Sequence, residues 1–382
     1  MNTFANAPAN LCSFFTVAFL LSCIFQVQAQ SFDLTPEHWQ VIDNGDGQTL
    51  DLKVIEYKGK KAIHLGSHQI ASLKGQSFDN FILEMDVAGK AMPGIGFHAD
   101  GFWDYEFVYA RVFAGGKKDA IQYVPIFNGA MGWQLYNDPY YEVAADVQPE
   151  EWFHVKLEVS NGKMRLYLNE SKQATLAIDL LGKPNDANQF FLKTSFSDGY
   201  FANVNIRALD TKIPTQAPKA PEGILQDWMI SPQTEGTITS QSQYYQLIEQ
   251  LEKGEEWQSI KADQNGLVNL AKYFDHPQES ALAKTVINSS TEKEVTLAYD
   301  FSQVMMVVLN DQVLEYRVNL DSEDFMRIYP DSYQLKLPLQ KGENKLVFWI
   351  RSDDQWQAMN PPYLDRRQAM NWGFIARIVE NE

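Results

Sequence analysis

Apolar and polar residues alternate with a period of two over much of residues 32–206. Phe81-Ile82-Leu83-Glu84-Met85-Asp86-Val87 shows the pattern, as do residues 105–113, 152–159 and 164–168, with Gly, Asn and Asp punctuating the stretches between. Alternation over such lengths predicts strands with one face buried. Ser160-Asn161-Gly162-Lys163 predicts a tight hairpin, because Asn-Gly accepts the positive φ such a turn needs. In the second half, Tyr244, Leu247, Ile248 and Leu251 recur at helical spacing and predict a helix over residues 243–252. Strands are then expected at residues 284–287, 295–299, 304–309, 334–339, 345–350 and 373–379, with turns at Asn310-Asp311 and residues 341–344. Many short strands with frequent turns give an all-β fold class: two β-sandwich (jelly-roll) domains, the second with a helical insertion.

The punctuation also divides the chain. Residues 211–223 hold Pro214, Pro218 and Pro221 without strand alternation, which predicts a semi-stiff linker between a sandwich at 30–210 and another at 224–382. Residues 1–29 carry an apolar run centred on 14–25 and end in Val27-Gln28-Ala29, which predicts a signal peptide cleaved after Ala29. The protein is then secreted or periplasmic. Leu20-Leu21-Ser22-Cys23 offers the alternative of a lipid-anchored Cys23. Cys12 and Cys23 are the chain's two cysteines, so the mature protein would have no thiol; disulfides and cysteine-ligated zinc are excluded. No apolar segment of transmembrane length follows residue 30.

The formal net charge is −17, all of it outside the expected signal segment, and this argues against nucleic acid as a partner. It favours an uncharged glycan over a sulfated or uronate one, unless a basic pocket forms around Arg111. Thirteen of the 48 residues from 94 to 141 are aromatic, against 49 of 382 overall, and they sit among amides, acids and Arg111. Such a mixture suits a sugar, whose C–H face stacks on rings while its hydroxyls bond to amides and guanidinium. Along residues 105–113, Tyr105, Phe107, Tyr109, Arg111 and Phe113 share one face, expected to front a solvent-filled groove, while Val108, Ala110 and Val112 on the other face read as core and Glu106, on that same face, does not. The predicted ligand contacts are Tyr109, Arg111, Gln122, Asn128, Trp133 and Tyr136, and the expected partner is an oligo- or polysaccharide. The alternative reading of each ring is core packing, and of Arg111 an ion pair with an acid.

No catalytic residues are assigned. Glu84, Asp86 and Glu106 are the acids a glycosidase reading would use, yet the spacing Glu84-Met85-Asp86 lacks a third acid to complete a retaining motif. No cofactor is expected. His98, Asp100 and Asp104 lie in one glycine-containing loop with Asp119 nearby, and the oxygens there offer ligands for calcium, with a solvated turn as the alternative.

Residues 105–111, 119–129, 132–136 and 151–156 together resemble the concanavalin A-like lectin/glucanase superfamily, in particular laminin-G-like and DUF1080-like domains of secreted bacterial proteins. The resemblance covers roughly residues 32–209. It implies a two-sheet jelly roll used for glycan binding, with some branches cleaving glycosides, keto-disaccharides among them. Residues 266–270, 304–310, 337–346 and 372–374 look like a galactose-binding-like jelly roll, from which the aromatic insertion at 353–371 departs. Three readings follow: a secreted carbohydrate-binding protein; a glycoside hydrolase or polysaccharide lyase of the same fold; or a non-catalytic adhesion or protein-interaction module.

Overall fold

The computed structural model describes residues 30–137, 139–214, 219–234, 236–253, 256–274, 280–319, 326–352 and 371–379. The expected signal peptide with Cys12 and Cys23, and residues 353–370 of the insertion, lie outside the described residues. The chain forms two β-sandwiches, and every strand pair among the described residues is antiparallel.

The first sandwich stacks two eight-stranded sheets. One runs in the order Leu176–Asp179, Lys163–Leu168, Phe153–Ser160, Phe81–Gly89, Gly199–Ala208, Lys60–Leu65 and Lys53–Tyr57, with Gln30–Ser31 also paired to Gly199–Ala208. The other runs Glu142–Val143, Ile121–Ile126, Asp104–Ala110, Met92–Asp100, Gln189–Ser195, Gln69–Leu73, Trp39–Asp43 and Thr49–Leu50. Their facing residues make the core. Val87, Phe153, Val155, Leu166 and Phe201 from one sheet meet Ile95, Val108, Ala110 and Ile121 from the other around a void of about 20 Å³. Each buried aliphatic or Phe side chain here contributes about 1.5–3 kcal/mol of transfer free energy. The Asn-Gly hairpin forms as expected: Ser160 pairs with Lys163, and Asn161 and Gly162 both take positive φ.

The alternating run at 105–113 departs from expectation at its end. The strand stops at Ala110, and Val112–Ala114 is a single 3-10 turn closed by Ala114 N–H on Arg111 C=O, 2.7 Å. That turn lifts Phe113 out of the sheet, leaving it 53% exposed.

The second sandwich pairs a six-stranded sheet (Gln258–Lys261, Asp227–Ile230, Ser280–Ser289, Gly342–Arg351, Val304–Leu309, Gln312–Val318) with a four-stranded one (Leu267–Asn269, Gly373–Val379, Lys293–Phe301, Tyr333–Leu339). The helix runs Gln241–Glu252, and Ser240 caps it by accepting from Gln243 N–H. Its Tyr244 and Ile248 pack on Leu282, Met306, Val347 and Trp349, so it covers an outer sheet face. No helix among the described residues is long and apolar enough to cross a membrane.

The two sandwiches meet through directional polar contacts. Asn269 Nδ2 donates to the Tyr136 hydroxyl (2.9 Å), Asn128 Nδ2 to Ala271 C=O (2.8 Å), and Asn137 Nδ2 to Ile328 C=O (2.7 Å). Phe127 and Ala130 pack against Ala271 beside them.

Candidate functional site

The Asp104–Ala110 strand lies inside the second sheet, between Met92–Asp100 and Ile121–Ile126. Because Val108 and Ala110 face the core, period two sends Tyr105, Phe107 and Tyr109 to the sheet's other side. Gly94 and Gly96 sit opposite Tyr109 and Phe107. A Cβ on Gly94 would lie 2.6 Å from the Phe107 ring, and one on Gly96 would lie 2.2 Å from the Phe191 ring. The glycines are there because the rings occupy the space. Phe107 stacks on Tyr109 with centroids 5.1 Å apart, and Tyr105 meets Phe191 edge-on at 4.9 Å. Lys193 Nζ lies 3.0 Å from the Tyr105 hydroxyl and 5.1 Å from the Phe107 centroid.

This row is on the predicted side of the sheet, but it does not front a solvent-filled groove. Tyr109 is only 3% exposed, and Gln122 and Tyr136 are fully buried. The reason lies in the loop after Ile126. Its carbonyls need donors once folded over the strand. Gln122 Nε2 supplies them, to Trp133 C=O (2.9 Å) and Tyr136 C=O (2.7 Å), while Tyr109 donates its hydroxyl proton to Gln122 Oε1. Tyr109, Gln122 and Tyr136 therefore anchor the loop and offer no surface to a ligand. Asn128, with φ +51°, is a clamp to the second sandwich; its Oδ1 lies 3.2 Å from Lys183 Nζ. Tyr140 and Tyr141, in the same loop after Pro139, are both buried.

Arg111 and Trp133 remain, and the fold does bring them together. The Arg111 guanidinium lies 5.4 Å from the Trp133 ring and 5.5 Å from that of Phe113. Asp119 pairs with Arg111 at 2.9 Å. A residue of the second sandwich, Arg327, approaches Trp133 at 5.0 Å and reaches both Glu142 oxygens at 2.7 Å, with Asp119 at 3.3 Å. Trp133 is half-buried, with both guanidinium groups near its ring. The result is a rim of rings and cations at the end of the aromatic row, with Phe113 its exposed member. Arg327 has no role assignable from sequence, since its partners lie about 190 positions away and no local pattern marks it.

The acids do not assemble into a hydrolytic pair. Glu84 and Asp86 are on the outer face of the first sheet. Glu106 points inward, accepting from the Tyr123 hydroxyl (2.5 Å) and Gly182 N–H (2.9 Å), and burial pushes its carboxyl up to about 7. Burial also acts to raise Asp86, but hydrogen bonds from Lys60, His154 and Asn203 outweigh it and hold that carboxyl below its usual value. Nor do the loop oxygens converge on a metal position. Asp104 pairs with Lys183 at 2.9 Å, Asp119 with the two arginines, and His98 Nε2 contacts Asp79 C=O at 2.7 Å. Among the described residues, no group of three or more His, Cys, Asp or Glu side chains is placed to hold a metal ion.

The sequence matches no family model and no curated protein. Solved structures are similar over less than half of the chain. A carbohydrate-binding module from Bacillus subtilis aligns at 13% identity and TM-score 0.34, covering 45% of this chain and 96% of its own. Domain 4 of an extracellular arabinanase from Geobacillus stearothermophilus, in complex with arabinotriose, aligns at 14% and 0.33, covering 44% and 82%. The exoplasmic/lumenal domain of VIP36, bound to Ca2+ and Man3GlcNAc, aligns at 9% and 0.31, covering 47% and 90%.

Proposed function

We propose that this is a secreted carbohydrate-binding protein whose first sandwich, at residues 30–210, takes an uncharged oligo- or polysaccharide at the Phe113–Arg111–Trp133 rim. One observation carries the reading: the exposed Phe113 ring and the half-buried Trp133 ring flank a guanidinium fixed by Asp119. A pyranose C–H face stacks on such rings, and the guanidinium fork donates to adjacent hydroxyls. The cations of the rim are already ion-paired, so the site selects for hydroxyls and shape over charge. Asp119, Glu142 and Asn137 hold the cations in position and need not touch ligand. A linker at 211–223 and a second sandwich from 224 onward, which lends Arg327, complete the proposed organisation.

Affinity electrophoresis through gels containing uncharged polysaccharides tests this. The parent is expected to be retarded by at least one, and Trp133→Ala to weaken that binding about tenfold, near 1.4 kcal/mol. Equal retardation of parent and variant in every gel that slows the parent would remove the rim as the site.

A further inference from the structure

The opposite side of the first sandwich carries a second built cluster. Asp86 is nearly buried on the outer face of the first sheet, and three donors from three other strands converge on it. Lys60 Nζ and Asn203 Nδ2 approach Oδ2 at 2.8 and 2.6 Å, and His154 Nδ1 approaches Oδ1 at 2.9 Å. Asn203 sits in a bulge of Gly199–Ala208 with φ +54°, a left-handed conformation that side-chain-bearing residues adopt at a cost. The His154 backbone is itself clamped, since its N–H donates to Asn169 Oδ1 (3.1 Å) and its C=O accepts from Asn169 N–H (2.7 Å).

These contacts fix the imidazole. With Nδ1 committed to a carboxylate, Nε2 is left as the outward nitrogen, and the side chain is 40% exposed. Beside it stands a group of rings on a floor of Ala62, Ala88 and Ala202. Tyr57 stacks on Tyr200 at 3.7 Å and meets Trp152 edge-on at 5.7 Å. The Trp152 indole N–H finds no acceptor. The charges around the patch are matched: Lys58 with Glu151 and Lys156 with Glu158, each at 2.8 Å, and Lys60 with Asp86.

We infer that this face is a second saccharide site, separate from the Trp133 rim, in which His154 hydrogen-bonds a ligand hydroxyl through Nε2 beside the Trp152–Tyr57 ring edge. Matched charges give no purchase to an ionic ligand, whereas an outward ring nitrogen next to an apolar ring surface suits a neutral polyol with a C–H face. The inference does not depend on the Trp133 reading. A single chain would then present binding surfaces on both outer sides of one sandwich.

The test is titration of the full chain with cellobiose, maltose and lactose, following the histidine ring signals by NMR, in the parent and in Trp133→Ala. A saturable shift of the His154 signals, retained in Trp133→Ala, is expected for at least one disaccharide. His154→Asn keeps an N–H for Asp86 but removes the outward nitrogen. Made in the Trp133→Ala background, it should bind that sugar at least tenfold more weakly with its melting temperature unchanged. The inference is overturned if no disaccharide moves the His154 signals, or if the asparagine variant binds as well as its background. If Trp133→Ala abolishes all binding and His154 never responds, this site falls and the rim stands; if only His154 responds, the rim falls and this site stands.

Discussion

Glu106 should make the protein less stable as the pH rises through neutrality. Its carboxyl lies inside the first sandwich, with the Tyr123 hydroxyl and Gly182 N–H as partners, and burial lifts it from 4.5 to about 7. At about 1.4 kcal/mol per unit, that shift amounts to about 3 kcal/mol. The sign follows from which form the fold prefers. A raised carboxyl is favoured protonated in the folded chain, so its stabilising contribution is complete below pH 4.5 and is lost as the pH climbs to about 7. Glu106→Gln supplies a permanent neutral analogue, whose Oε1 can accept from Gly182 N–H and whose Nε2 can donate to the Tyr123 oxygen. Urea unfolding of parent and variant from about pH 4 to 8.5 isolates the effect, because every other titrating group is common to both. The variant should gain about 3 kcal/mol on the parent between about pH 4.5 and 7.5, with the gain levelling off above. A stability difference that stays constant across that range would show that Glu106 is not forced to ionise in an apolar interior.

Gly96→Ala drives a methyl against the Phe191 ring, so a loss of about 1–3 kcal/mol in urea unfolding is expected; unchanged stability would mean that the rings can retreat. Arg327→Ala removes the cation that holds the fully buried Glu142 carboxylate and should cost about 3–5 kcal/mol. Combining Arg327→Met with Glu142→Leu, which replaces the ion pair by apolar side chains, should recover most of that loss. A double variant no more stable than Arg327→Ala would contradict the charge argument.

Strand alternation, the Asn-Gly hairpin and the helix over Gln241–Glu252 were all legible because each depends on residues close in sequence. Tyr244, Leu247, Ile248 and Leu251 announce the helix through their period, while its Ser240 cap shows only in the structure. The side of the sheet taken by Tyr105, Phe107 and Tyr109 was equally local. What covers that side was not. Period two gives direction and says nothing about cover, and Tyr136 is sealed by Asn269, 133 positions away. Arg111 and Trp133 come together through chain that returns within about twenty residues. The Asp86–His154–Asn203 cluster needed three strands in register and a bulge, none of which leaves a recognisable motif in one sequence.

The bare backbone beneath the rings at Gly94 and Gly96 has an evolutionary corollary. Each amino-acid change at either codon adds at least one carbon where aromatic atoms already reside, so geometry itself disfavours every replacement there. Phe113, lifted clear of the sheet beyond its end, is under no such veto. Position 113 is therefore open to side chains of many shapes while the platform behind it stays the same.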